Sequence, residues 1–241
     1  MKLTHDELVL GYWPARQIRG DIPSTVQRPD QYSGSSILNI ACTQTGLPPS
    51  RQAKLIDEWC VRLPTFPVKT LVFSSKVPQC LFEAACAVPQ LEALSIKWSS
   101  IASLGALSQA SSLRALFLGS SPSIDCLQLI STLIRMEHLF IENVQEPVDL
   151  SFVETLTELR EFGLSATRGH KMQVRTLEPL ASLAWLEMLW LVSIQVLHDG
   201  LNPLYSLNNL ASLRTAIKPT SKEFQELCSA VPTLKYFQPV G

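Results

Sequence analysis

The chain alternates apolar and polar residues in short bursts that recur along its length. The pattern L-x-x-L-x-L, with other apolar residues admitted, appears as VKTLVF from Val68, LEALSI from Leu91, LRALFL from Leu113, MEHLFI from Met136, LREFGL from Leu159 and LEMLWL from Leu186. Successive starts lie 23, 22, 23, 23 and 27 residues apart, and weaker copies begin at Leu213 and Leu234. Side chains two apart on a strand share a face, so each copy predicts a short strand whose fourth and sixth positions point inward. The intervening stretches, such as LGALSQASSL and LNPLYSLNNLASL, carry leucine about every third residue and predict short helical turns. A partial copy, SILNIA from Ser36, precedes PPSRQAKLIDEWCVRL, where Leu55, Ile56, Trp59 and Leu63 share one face of a predicted helix. Thr220 and Glu223 form a capping-box pattern ahead of Phe224, Leu227, Cys228 and Val231, predicting a last helix.

A unit of this kind cannot bury its apolar side alone, so neighbours must stack into a continuous core. These residues resemble the leucine-rich repeat family in its short form of roughly 22–23 residues per turn. The resemblance covers about Ser35 to the C-terminus. It implies an α/β solenoid: a parallel concave sheet of about eight strands, with short helical or irregular returns on the convex side. The expected division is residues 1–34 as an N-terminal cap segment, 35–219 as the solenoid, and 220–241 as a capping helix with a terminal strand, in one continuous domain. One departure stands out. Where the family usually has a turn asparagine, this chain has Lys76, Ser99, Ser121, Val144, Thr167 and Ile194. Ser and Thr supply a weaker version of the same bond and Val and Ile none, so less regular turns are expected. Tyr12, Trp13 and Pro14 precede the repeats, and Trp13 reads as part of a cap over the exposed edge of the first coil.

With the fourth and sixth positions inward, the third, fifth and seventh face outward. The fifth column reads Val72, Ser95, Phe117, Phe140, Gly163 and Trp190; the third reads Thr70, Ala93, Ala115, His138, Glu161 and Met188; the seventh reads Ser74, Lys97, Gly119, Glu142, Ser165 and Val192. Neighbouring strands lie about 4.8 Å apart, so Phe117 and Phe140 are expected to touch, with Trp190 about 10 Å from Phe140 across a notch at Gly163. Phe117, Phe140, Trp190, Trp98 and Met188, with Lys97, His138, Glu142 and Glu161 among them, have the mixed aromatic and polar character of a protein-binding strip. The chain's own N-terminal segment is another occupant for that strip. A second candidate is the lengthened loop TRGHKMQVR, which places Arg168, His170, Lys171 and Arg175 on the rim, where their charge suits an acidic partner. A solvated loop is the plainer reading of the same residues.

Composition narrows the choice. At 241 residues and 46% hydrophobic the chain can bury a substantial core, and its net charge of −1 gives no general attraction to nucleic acid or anionic membrane. His5, Asp6 and Glu7 interrupt the apolar run that a secretory signal needs, and no stretch is apolar enough to span a bilayer. The six cysteines are scattered without zinc-site spacing and are expected to be reduced and mostly buried, Cys86 as a small apolar residue on a helix face; a cytosolic location follows. No H-E-x-x-H, G-x-S-x-G or phosphate-cradling glycine loop is present, and no metal or cofactor is expected. His138 with Glu142, or His198 with Asp199, are the pairs available for acid–base work, but an open sheet offers little of the desolvation such work needs. The expectation is a non-enzymatic module, monomeric alone, that captures a protein partner on its concave face, with a stoichiometric immunity or inhibitor protein as its narrower form. A structural subunit or self-associating scaffold is the alternative, and an enzyme the third reading.

Overall fold

The computed structural model describes residues 2–239 except 147 and 168. Its strands are β1 (Ile37–Ile40), β2 (Thr70–Phe73), β3 (Ala93–Trp98), β4 (Ala115–Ser120), β5 (His138–Glu142), β6 (Glu161–Ser165), β7 (Met172–Val174), β8 (Met188–Val192), β9 (Ile194–Val196), β10 (Ser212–Thr215) and β11 (Tyr236–Pro239). Nine of them form one parallel sheet in the order β1-β2-β3-β4-β5-β6-β8-β10-β11. Each strand is followed by a return that climbs to the next, and the result is a one-dimensional stack. The returns are a helix, α3 (Pro49–Arg62), a second, α4 (Gln79–Cys86), and then 3₁₀ turns such as Gly105–Gln109, Gln128–Thr132 and Glu178–Ser182.

Register follows the repeat. Thr70, Ala93, Ala115, His138, Glu161, Met188, Ser212 and Tyr236 are successive partners across the sheet. The fourth position builds one inward stack, Leu71, Leu94, Leu116, Leu139, Phe162, Leu189 and Leu213, every member fully buried. The sixth position builds a second from Phe73, Ile96, Leu118, Ile141, Leu164 and Leu191. The copy expected from Leu213 is shifted: Ser212 pairs with Met188, so its frame starts at Leu210, and Leu213 is its fourth residue. Arg214 thereby enters the outward fifth column beside Trp190.

At the foot of each strand, one residue before the third position, the charges alternate: Lys69, Glu92, Arg114, Glu137, Arg160, Glu187. They pair two by two, Lys69 with Glu92 at 2.8 Å, Arg114 with Glu137, and Arg160 with Glu187 at 2.7 Å. The two exposed pairs, Lys69 with Glu92 and Arg114 with Glu137, contribute at most about 1 kcal/mol each, while Arg160 and Glu187 are largely buried.

The irregular turns fall where side-chain bonding fails. Ser99 and Ser121 bond each other at 2.7 Å, and Ser99 also accepts the Ile101 N–H. Past Val144 and at Ile194 that device is gone, and a separate two-stranded sheet takes its place: β7 pairs with β9, and Val148 bridges to Val174. The expected loop around Lys171 and Arg175 is therefore partly a strand, with Lys171 just before it and Arg175 just after; Arg168 lies outside the described residues.

Both ends differ from expectation in detail. The first coil is closed by the segment after Gly20, where Val26 bridges to Ile40 and Gln27 accepts the Trp59 indole N–H at 2.8 Å. Trp13 is not part of that cap. At the other end the helix α5 (Lys222–Ala230) is capped by Ser221, which accepts the Phe224 N–H. The sequence pointed to Thr220, but Glu223 is engaged elsewhere, accepting the Leu201 N–H at 2.6 Å. Of the six free cysteines only Cys42 and Cys86 are buried, while Cys80, Cys126 and Cys228 are exposed. The expectation of mostly buried thiols fails because three fall on the outer faces of the returns and the last helix. Burial pushes the Cys42 and Cys86 thiols up to about 12, which makes them neutral core groups.

Candidate functional site

The outward columns form a face that the chain itself partly covers. Two short helices, α1 (His5–Leu10) and α2 (Tyr12–Ile18), lie across it as a hairpin. Thr4 starts α1 by a capping box with Glu7, and Gly11 makes the corner at φ +86°. That corner requires glycine twice over. Its φ lies in the left-handed region, and a Cβ there would meet the Glu161 carboxylate at 2.8 Å and the Trp190 ring at 3.0 Å.

Glu161 is the anchor. It is 4% exposed, accepts the Tyr12 N–H at 3.0 and 3.3 Å, and lies 3.0 Å from His138 Nδ1. The Tyr12 ring stacks on His138 with centroids 4.1 Å apart, and Arg16 donates to the Tyr12 hydroxyl at 2.8 Å. Arg214 donates to the Val9 carbonyl and sits 3.9 Å over the Trp190 ring. Further out, the Leu3 N–H reaches Glu187 at 3.1 Å and His5 meets the Tyr236 hydroxyl at 3.2 Å.

The residues expected to form one strip thus divide. His138, Glu161 and Trp190 hold the hairpin, and Met188 in the same outward column is 0% exposed. Phe117, Phe140 and Glu142 remain half-buried, Lys97 is exposed, and Trp98 is 40% exposed. His138 pairs across the sheet with Glu161, not along its own strand with Glu142, so the acid–base pair considered from sequence is not formed. His198 and Asp199 lie in an exposed turn, with Asp199 accepting from Thr176 at 3.1 Å. On the rim, His170 pairs with Glu146 at 2.6 Å, and the Gln173 N–H donates to the same carboxylate, so the basic loop is partly neutralised.

The three aromatics of the fifth column are continuous. Ring centroids are 5.6 Å apart for Phe117 and Phe140 and 5.3 Å for Phe140 and Trp190. The wider second gap expected from strand spacing does not occur, because Phe140 leans into the space above Gly163, where a Cβ would lie 2.2 Å from its ring. The notch is filled from within. The chain's own N-terminal segment, one of the occupants the sequence offered for the strip, is found over part of it; its form as a helical hairpin and the part played by Arg214 were not read from the sequence. The Thr4–Glu7 capping box followed by Gly11 was the signal for the first, and the shifted frame at Leu210 for the second.

Beside the hairpin, burial raises the Glu142 carboxyl above its ordinary range. The folded state then holds that proton more tightly than the unfolded chain, so ionising Glu142 opposes folding as pH rises through its folded value. Glu142→Gln is expected to raise the thermal midpoint at about pH 7 and to leave it unchanged at about pH 3, where the parent carboxyl is already protonated. A gain of equal size at both pH values in calorimetric scans would refute this account of the carboxyl.

No family model and no curated protein matches the chain. Among solved structures it is similar to an internalin, InlF, of Listeria monocytogenes, with a TM-score of 0.50 at 18% identity over 73% of this chain and 55% of that one. It is also similar to a leucine-rich repeat protein of Leptospira interrogans, with a TM-score of 0.50 at 16% identity over 91% of this chain and 66% of that one. The chain therefore spans less than two thirds of either neighbour. Repeat period, strand register and these neighbours agree that the chain has the leucine-rich repeat fold.

Proposed function

We propose that this protein is a non-enzymatic binding module that captures a protein partner on the part of its concave face beside the N-terminal hairpin. The observation that carries the reading is the half-exposed run of Phe117 and Phe140, continuous with Trp190 and flanked by Lys97 and Glu142. Aromatic anchors with a polar margin are what dominates binding energy at protein interfaces. Soluble surfaces seldom leave such a patch without use. The strand-and-return architecture supports the same reading, since a stacked sheet offers a broad rigid surface. Within this class the proposed role is stoichiometric, covering a toxin or an enzyme, in a reducing compartment such as the cytosol that keeps all six thiols free.

The test uses a partner isolated with the parent protein and then purified. In calorimetric titration, Phe117→Ala combined with Phe140→Ala is expected to weaken binding by at least about 2 kcal/mol, the scale of an interface hot spot. Thermal unfolding should stay near the parent, because neither side chain belongs to the inward stacks. Unchanged affinity rejects this face as the site.

A further inference from the structure

The N-terminal hairpin lies on the sheet without packing into it. Within its two helices only Ala15 is buried, and Ile18 at the end of α2 is 71% exposed. A cavity of about 400 Å³ opens between Trp13, Pro14 and Gln17 of α2 and Phe117 and Phe140 of the sheet, where a permanent layer of the core would interdigitate and leave little void. The indole nitrogens of Trp13, on the hairpin, and Trp190, on the sheet, are closed off from solvent and bond to nothing among the described residues. Docking thus strips water from a donor on each side and supplies no acceptor, a cost that undocking returns. Helices of six and seven residues are also too short to persist alone, so release of the hairpin means its melting.

What holds the hairpin is a small set of directional contacts. Glu161 accepts the Tyr12 N–H, His138 carries the Tyr12 ring, and Arg214 donates to the Val9 carbonyl. All three sheet residues stand in outward columns, and the aromatic run from Phe117 through Phe140 passes without a break to Trp190, against the Gly11 corner. We infer that the hairpin is a displaceable cover, an internal stand-in for the partner. The incoming segment carries an aromatic residue just after a tight turn. Its N–H, its ring and the carbonyl before the turn replace those of Tyr12 and Val9 on Glu161, His138 and Arg214, and the hairpin leaves as it enters. In the free chain the cover lowers the apparent affinity by the ratio of docked to open molecules. This rests on the partner-capture reading for what replaces the hairpin, and adds to it the regulation of the same site.

The probe is a synthetic peptide of residues 2–20 with a fluorophore at its C-terminus. Gly11→Val in the full chain empties the site, since the corner combines φ +86° with ψ 161°, a conformation that only glycine takes readily, and a side chain there meets Glu161 and Trp190. Hydrogen exchange should find α1 and α2 unprotected in that variant and β2 to β5 as in the parent, which shows that the solenoid is folded. In the parent, α1 and α2 should exchange by local opening, with protection of about a hundredfold, far below that of β2 to β5. A tether holds the hairpin at about millimolar effective concentration, so a docking ratio of about a hundred gives the free peptide a dissociation constant of about 10 μM for Gly11→Val. Fluorescence anisotropy should find binding to the parent about a hundredfold weaker, because its site is already filled. Hairpin amides of the parent protected as strongly as those of β2 to β5 would overturn the inference. So would absence of saturable peptide binding to Gly11→Val up to about 1 mM, the effective concentration of the tethered hairpin, or equal affinity for parent and variant. Neither measurement contains a partner, so their failure leaves the Phe117 and Phe140 test standing, and failure of that test leaves the displaceable hairpin standing.

Discussion

Leu116→Ala is expected to lower the free energy of unfolding by about 2–5 kcal/mol, the range for deleting most of a buried leucine and leaving a cavity behind. Leu116 is fully buried in β4, directly between Leu94 of β3 and Leu139 of β5. Its loss therefore removes contacts with both neighbouring coils. In a stack where stability is a sum of units and the interfaces between them, the middle is the costliest place for such a gap. Urea denaturation followed by circular dichroism measures the effect. A curve that overlays the parent would mean that the inward and outward columns have been exchanged, since a one-residue slip turns every side chain of a strand to the other face.

Glu161→Ala should release the N-terminal hairpin while leaving the solenoid folded. The carboxylate serves both Tyr12 N–H and His138. Removing it strands two groups at a buried site, each costing about 1–3 kcal/mol, so a loss of about 3 kcal/mol in hairpin docking is expected. Hydrogen exchange is the informative measurement. Amides of α1 and α2 should lose protection in the variant, while those of β2 to β5 keep theirs. Uniform loss across the chain would show that the hairpin is integral to the solenoid, and unchanged protection of α1 and α2 would show that Glu161 does not hold it.

The solenoid was legible because its signal is repeated: each copy states the same inward and outward alternation, so an error in one strand is corrected by its neighbours. That is why Phe117 opposite Phe140, and His138 opposite Glu161, could be read from residue numbers alone. The exception is informative. LASLRT offers leucine at both Leu210 and Leu213, either of which satisfies the local pattern, and only pairing with β8 decides between them. The hairpin was not legible in the same way. Its residues carry no period, and what fixes it to the sheet is a glycine corner, one carboxylate and one stacked ring, all contributed by residues about 130–200 positions apart, a separation that no local pattern records. Nor could strand spacing foresee that Phe140 leans over Gly163, because a missing side chain is an invitation to whichever neighbour reaches it first.

The alternating charges at the foot of the sheet bear on how such a chain can change length. Cut out one coil, and Glu92 faces Glu137, or Arg114 faces Arg160; cut out two, and opposite signs meet again. Although the exposed pairs are weak, a shift by a single unit turns attraction into repulsion, whereas a shift by two preserves it. The sheet is thus marked with an odd-and-even code, one that disfavours misaligned folding by one coil and favours growth or shortening of the solenoid in twos.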